Sequence, residues 1–83
     1  MATRQEVTAS VINAIAEVLK IEPDKIKLDS HLKNDLAAQS LDQITLLMEL
    51  EDKFGFSISD SDAVNLQTVT QIIDYAERNF KQP

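Results

Sequence analysis

The stretch that decides the fold is residues 40–55, which read SLDQITLLMELEDKFG. Apolar residues recur in it at helical spacing, and this predicts an amphipathic helix from about Ser40 to about Phe54. Gly55, the only glycine of the chain, follows directly and can adopt the left-handed conformation that ends a helix. We expect the broad apolar face of this helix to pack into the core through Leu41, Ile44, Leu47, Met48 and Leu50.

A second amphipathic helix is predicted before this stretch, from about Thr3 to about Ile21. Thr3 and Glu6 have the spacing of a capping box, and Pro23 forces the preceding residue out of the helical region. A long loop from about Glu22 to Gln39 then leads to Ser40, with one helical turn near 32–36. Loops of this length in small domains are typical of functional surfaces. We expect the loop between the two helices to be anchored to the core by Ile21, Ile26, Leu28, Leu32 and Leu36.

Two further helical segments are predicted after Gly55. An extended connector buries Phe56 and Ile58, a short helical turn covers about Asp60–Leu66, and Thr68 with Gln71 begins a last helix. The apolar face of this last helix comprises Val69, Ile72, Ile73, Ala76 and Phe80. The pattern predicts an all-α fold, a small four-helix bundle with three main helices and one short third helix.

Length and composition restrict the class of protein. A chain of 83 residues with 43% hydrophobic and 27% charged residues predicts one globular domain spanning residues 1–83. The absence of cysteine excludes disulfides, thiolate metal sites and a cysteine nucleophile. No apolar run reaches membrane-spanning length, and no signal-peptide pattern follows Met1. We therefore expect a cytoplasmic monomer that does not insert into membranes.

The negative charge is concentrated in one segment. Between Asp35 and Asp62 there are seven acids and one base, so this segment carries the whole net charge of −6. Such a chain does not favour nucleic acid as a partner. A docking surface for a basic protein and an ordinary solvated face both remain open. Asp60 and Asp62 do not begin an EF-hand, because Val64 and Asn65 break its pattern, and we expect no metal site.

Two residues could carry chemistry. Ser40 lies at a predicted helix N-terminus, where N–H groups and the helix dipole favour an attached or bound anion. Alternatively, Ser40 is simply the N-cap, with Gln43 closing the box. His31 could titrate as a switch or act as a base, although a packing role in the loop is the simpler interpretation. A single histidine without a partner predicts no catalytic residues.

Taken together, these residues resemble the acyl carrier protein family. Residues 38–42 (AQSLD) resemble its Asp-Ser-Leu attachment motif, and residues 46–55 resemble its second helix and helix end. Residues 58–63, with Thr68 and Val69, resemble the short third helix and the entry to the fourth. The similarity runs from about Thr3 to Phe80.

The resemblance implies a non-catalytic carrier that serves fatty-acid, lipid or polyketide-type synthesis. It implies 4′-phosphopantetheine, taken from coenzyme A and attached to Ser40 through a phosphodiester, with acyl groups held as thioesters on its terminal thiol. The implied partners are a pantetheinyl transferase and acyl-transferring and condensing enzymes with basic docking patches. The docking residues would be Asp42, Glu49, Glu51 and Asp52. The acyl chain would fold back into a cavity among Ile44, Leu47, Met48, Leu50, Ile58, Ala63 and Ile72.

Three positions depart from the family pattern. Gln39 replaces the aspartate before the attachment serine, Thr45 stands where a helix-two acid is common, and Ser59 replaces a common proline. We interpret them as signs of a specialised bacterial carrier. Gln39 also leaves room for an alternative, an unmodified small acidic helical adaptor that binds basic partner proteins.

Overall fold

The structure is a computed structural model that describes residues 3–79. Within these residues four α-helices follow one another: α1 (Arg4–Leu19), α2 (Ser40–Phe54), α3 (Asp60–Ala63) and α4 (Val69–Asn79). A single 3₁₀ turn, Pro23–Lys25, interrupts the loop between α1 and α2. Within the described residues there is no strand, only an isolated antiparallel bridge between His31 and Thr68. The predicted all-α fold with a short third helix is confirmed.

Two of the predicted capping boxes are present. At α1, Thr3 N–H donates to Glu6 Oε1 at 2.9 Å, and Glu6 N–H donates to Thr3 Oγ1 at 3.1 Å. The bond from Thr3 N–H to the Glu6 carboxylate lowers the pKa of that carboxyl. At α4, Thr68 N–H donates to Gln71 Oε1 at 3.0 Å, and Gln71 N–H donates to Thr68 Oγ1 at 3.2 Å. The short polar side chains at these helix starts therefore satisfy backbone N–H groups that have no partner inside the helix.

The helix ends differ slightly from the prediction. Helix α1 ends at Leu19, because Lys20 adopts a left-handed conformation (φ 58°) and Ile21 N–H donates back to Ala16 O at 3.1 Å. Helix α3 is one turn, Asp60–Ala63, where the prediction extended it to Leu66. Gly55 ends α2 with φ 72°, as expected.

The core is built by α1, α2 and α4 together with loop residues. Helix α4 contributes the predicted Val69, Ile72, Ile73 and Ala76, while Phe80 lies outside the described residues. On either side of Gly55 in the chain, the Phe54 and Phe56 rings stack with their centroids 5.6 Å apart. The Tyr75 ring meets the Phe56 ring edge to face, also at a centroid distance of 5.6 Å. These aromatic contacts fix the connector between α2 and α3 against α4.

The predicted apolar face of α2 is wrong for three residues. Leu41, Ile44 and Met48 are 71%, 56% and 62% exposed. The residues that α2 buries are Leu46, Leu50 and Phe54, with Leu47 partly buried. At 3.6 residues per turn, the three exposed side chains lie on about the opposite side of the helix from Leu50. The helix thus has two apolar stripes, and only one of them faces the core.

The long loop is attached to the core at fewer points than predicted. Ile26 and Leu32 are buried, and Ile21 and Leu36 pack partly against the core. Leu28, the fifth expected anchor, is exposed, so that expectation was wrong. The expected helical turn is a hydrogen-bonded turn in which Asp35 and Leu36 N–H both donate to His31 O, at 2.9 and 3.1 Å. It does not extend into a helix.

Candidate functional site

The segment before Ser40, residues 31–38, holds the start of α2 at the surface; we call it the leading segment. Leu32 N–H donates to Gln67 O at 2.9 Å, and Ala38 N–H donates to Leu32 O at 2.8 Å. Leu32 and Ala38 are both buried. Ala37, between these anchors, has a left-handed φ of 57°. Two residues after the buried Ala38, the exposed Ser40 begins α2.

Ser40 is the first residue of α2 and not its cap, so the predicted Ser40–Gln43 box was wrong. The N-cap is Gln39, whose carbonyl accepts the first helical bond from Gln43 N–H at 3.0 Å. Asp42 takes the position of the box acid, and its Oδ2 accepts from Gln39 N–H at 3.1 Å. Asp42 and Gln39 have the same three-residue spacing as the expected Gln43 and Ser40, so the whole box lies one residue earlier in the chain. The Ser40 side chain has no part in either bond.

The surroundings of Ser40 suit a phosphate ester. The first N–H groups of a helix have no acceptor inside it and attract anions. A shallow depression of about 430 Å³ opens beside Ser40, and Lys33 supplies a positive charge in its lining. The exposed Ser40, the helix start and a lysine in the lining of the same depression fit a covalently attached phosphodiester. The lining comprises His31, Leu32, Lys33, Ser40, Gln43, Ala63, Val64 and Gln67.

The four expected docking acids differ in their surroundings. Asp52 is exposed, whereas Asp42, Glu49 and Glu51 are half-buried. Glu51 Oε2 accepts a hydrogen bond from Ile58 N–H at 2.8 Å, so this carboxylate holds the connector after Gly55. Glu51 thus has a structural role that its sequence position did not indicate. The function of the four acids in docking stays a prediction.

The exposed residues Leu41, Ile44 and Met48 form an apolar strip along α2, which we call the outer stripe. Met48 lines a second surface depression together with Thr45, Glu49, Glu51 and Asp52. Apolar side chains therefore lie directly beside acidic ones. Sequence reasoning missed this surface. The signal was present in the spacing of Leu46, Leu50 and Phe54, which defines a separate buried stripe.

The residues expected to line an acyl cavity fall into two groups. Leu50 and Ile72 are buried in the core, and Leu47 and Ile58 pack against it. Ala63 is half-buried beside Ser40. Ile44 and Met48 lie on the outer stripe in this structure. An acyl cavity among the inner residues stays a prediction.

Residues 3–79 contain no cluster of three or more His, Asp or Glu side chains that could hold a metal ion. None of the helices described is long and apolar enough to cross a membrane. His31 contacts loop backbone and Gln67, as the packing interpretation expected.

The described residues form a small helical bundle that presents an exposed serine at the start of an acidic helix. The model of the family described as "Phosphopantetheine attachment site" matches residues 9–76. A curated acyl carrier protein of Exiguobacterium sibiricum is 44% identical over 75 residues, which cover 90% of this chain and 95% of the relative. Those of Lactobacillus johnsonii and Campylobacter hominis are each 42% identical, over 88% and 87% of this chain and 91% of either relative.

The chain belongs to the acyl carrier protein family. The predicted resemblance is thereby confirmed, as is the expectation of a non-catalytic carrier with covalently attached 4′-phosphopantetheine.

Proposed function

We propose that Ser40 is the attachment residue and that the chain carries acyl groups on an arm bound to its Oγ. The observation that supports this most is the exposed Ser40 at the first turn of α2, inside the region that matches the family model. When bound, 4′-phosphopantetheine supplies a thiol that holds acyl groups as thioesters. The start of α2 and Lys33 would hold its phosphodiester. The chain contributes no cysteine, so the arm is the sole source of a thiol.

The partners we propose are a pantetheinyl transferase and acyl-transferring and condensing enzymes that carry basic patches. The acidic half of the proposed docking surface is Asp42, Glu49, Glu51 and Asp52, and its apolar half is the outer stripe. Opposite charges accelerate encounter and set orientation, while exposed apolar side chains supply buried area once the partner is bound. A basic patch with an apolar centre is the surface that complements this one.

Gln39 supports the finer proposal of a specialised bacterial carrier. Its side chain is exposed beside Ser40 and is uncharged, so an enzyme approaching Ser40 meets one negative charge fewer than in the family pattern. We expect Gln39→Asp to change the rate at which a given transferase loads Ser40. Equal loading rates for both forms with several transferases would contradict this. A cytoplasmic, monomeric, single-domain chain likewise remains a proposal.

The attachment proposal is tested by intact mass. The purified chain is incubated with coenzyme A and a broad-specificity pantetheinyl transferase, with Ser40→Ala as control. We expect the mass of one phosphopantetheine on the original chain and none on the variant. A thiol titration must then rise from zero to one per chain. No mass gain on either protein would favour the alternative function, an unmodified adaptor that binds basic proteins through the same acidic and apolar surface.

A further inference from the structure

The imidazole of His31 caps the turn that it begins. Its Nδ1 lies 3.2 Å from both Lys33 N and Asn34 N, and each of these backbone groups donates to it. An atom that accepts two N–H bonds carries no proton, so the proton of the neutral ring is on Nε2. Nε2 lies 3.1 Å from Gln67 Oε1. Because Gln67 Nε2 donates to Val64 O at 2.9 Å, the amide is oriented with its oxygen available to His31.

This turn is directly connected to the attachment residue. Leu32, one residue after His31, donates its N–H to Gln67 O. Ala38, two residues before Ser40, donates its N–H to Leu32 O. His31 and Ser40 also line the same depression. The leading segment is therefore fixed near its start by an imidazole and near its end by the bond from Ala38 N–H to Leu32 O.

Few charged groups surround the ring. Asp35 Oδ2 accepts from His31 N–H at 2.7 Å, and Lys33 lies in the lining of the depression. The other elements packed here contribute uncharged groups: Ser40 and Gln43 from α2, Ala63 from α3, and Gln67 from the connector to α4.

We propose that neutral His31 is a positioning residue for Ser40 and that protonation of its imidazole releases the leading segment. An imidazolium has hydrogen on both nitrogens, so Nδ1 can no longer accept. Lys33 N–H and Asn34 N–H then lose their acceptor and face a third hydrogen. Ser40 is presented less well, and its loading by the transferase slows in acid. The effect on loading rests on the function proposed above, whereas the effect on the segment does not.

The segment is tested by nuclear magnetic resonance on the full chain between pH 8 and pH 5. His31 is the only histidine, so its ring signals need no assignment among several. At pH 8 we expect the Nε2–H tautomer. As the ring protonates, exchange protection of the Lys33 and Asn34 amides, corrected for intrinsic rates, should fall roughly threefold to tenfold, the effect of one lost hydrogen bond. An Nδ1–H tautomer at pH 8, or protection unchanged through the titration, would overturn the proposal.

The link to Ser40 is tested with His31→Asn and His31→Ala. Asparagine is a good capping residue and does not titrate, so His31→Asn should load at a rate whose ratio to wild type rises as the pH falls. His31→Ala should load slowly at every pH. A ratio of the two loading rates that does not change with pH, while the amides lose exchange protection, would overturn the role of His31 in positioning Ser40. If neither wild type nor His31→Asn is loaded at any pH, the proposed function fails. The ring tautomer and the exchange protection of the two amides then still decide the capping role of His31.

Discussion

The carboxylate of Glu51 accepts a hydrogen bond from the backbone N–H of Ile58 at 2.8 Å. This bond spans Gly55 and joins the last turns of α2 to the connector that leads to α3. Asp52, the next residue, is exposed and makes no such bond. Two neighbouring acids in one proposed docking surface therefore have different physical roles.

Replacing these two acids separately should distinguish structure from docking. Glu51→Gln leaves a weaker acceptor for Ile58 N–H, and Glu51→Lys removes the acceptor. We expect Glu51→Lys to lower the free energy of unfolding by about 1–3 kcal/mol, and Glu51→Gln to lower it by less. Asp52→Lys should leave stability within about 0.5 kcal/mol. Urea unfolding of the three variants measures this. Equal losses for Glu51→Lys and Asp52→Lys would contradict the assigned role of Glu51.

Asp52→Lys should instead reduce docking. A reversed charge on the rim of an interface lowers the association rate, and the effect is larger at low salt. The measurement is the association rate with a partner enzyme at two ionic strengths, with Glu17→Lys on α1 as a matched control outside the acidic segment. A reduction that does not depend on salt would count against electrostatic docking.

The outer stripe predicts a second separation of effects on α2. Ile44 is 56% exposed and Leu46 is buried, although both are aliphatic residues of the same helix. Leu46→Ala should cost about 2–5 kcal/mol of unfolding free energy. Ile44→Ala should have little effect on stability but weaken partner binding. Thermal unfolding and a binding assay with the same partner check both, and a large stability loss in Ile44→Ala would refute the exposed placement.

Ala37 should be stabilised by glycine. Its φ of 57° is a left-handed conformation that costs a residue with Cβ about 1–2 kcal/mol, and glycine avoids this cost. Glycine also increases the conformational entropy of the unfolded chain, which offsets part of this gain. We therefore expect Ala37→Gly to raise the free energy of unfolding by up to about 1 kcal/mol. Ala38→Gly is the control, because Ala38 is buried and not left-handed. It should be destabilising, and the same sign for both variants would contradict the argument.

Tyr75 predicts a loss of stability in alkali. Burial raises the pKa of the Tyr75 hydroxyl above its ordinary 10.0, and its hydrogen bond to Asp62 Oδ2 at 2.9 Å acts in the same direction. A group whose pKa is higher in the folded than in the unfolded chain stabilises the fold below the unfolded pKa. That stability is lost as the pH rises through the folded pKa. Tyr75→Phe should lack this dependence above about pH 10.

The readout for Tyr75 is unusually direct. The chain has one tyrosine and no tryptophan, so tyrosinate absorbance reports Tyr75 alone. Urea midpoints of wild type and Tyr75→Phe, followed by circular dichroism from pH 8 to pH 11, should converge as that absorbance rises. Midpoints that stay parallel over this range would show that the hydroxyl is not protected by folding.

The sequence predicted the elements that depend on local chemistry. Helix starts at Thr3 and Thr68 and the end at Gly55 follow from capping and left-handed geometry, which involve residues close together in the chain. The leading segment could not be predicted in this way, because its fixed points join Leu32 to Gln67, thirty-five residues away. The buried face of α2 was misjudged because two apolar stripes share one helix, and spacing alone does not show which stripe meets α1.

The position of Ser40 at the start of α2 was predicted, but its local geometry was not. Ser40 lies at the start of α2, as expected, yet it is one residue inside the helix because Asp42 caps through Gln39 N–H. A box closed by Gln43 and a box closed by Asp42 are both compatible with the sequence QSLDQ. Only the backbone conformation distinguishes them, and it leaves the Ser40 hydroxyl outside the cap.

The central claim is that Ser40 carries the phosphopantetheine arm, and peptide mass spectrometry tests it most directly. The full chain, loaded from coenzyme A by a broad-specificity transferase, is digested and fragmented next to Ser40→Ala. We predict one phosphopantetheine on the peptide that contains Ser40, with fragment ions that place it on that residue, and no modification of the variant. An arm on another serine or threonine, or equal modification of Ser40→Ala, would contradict the account.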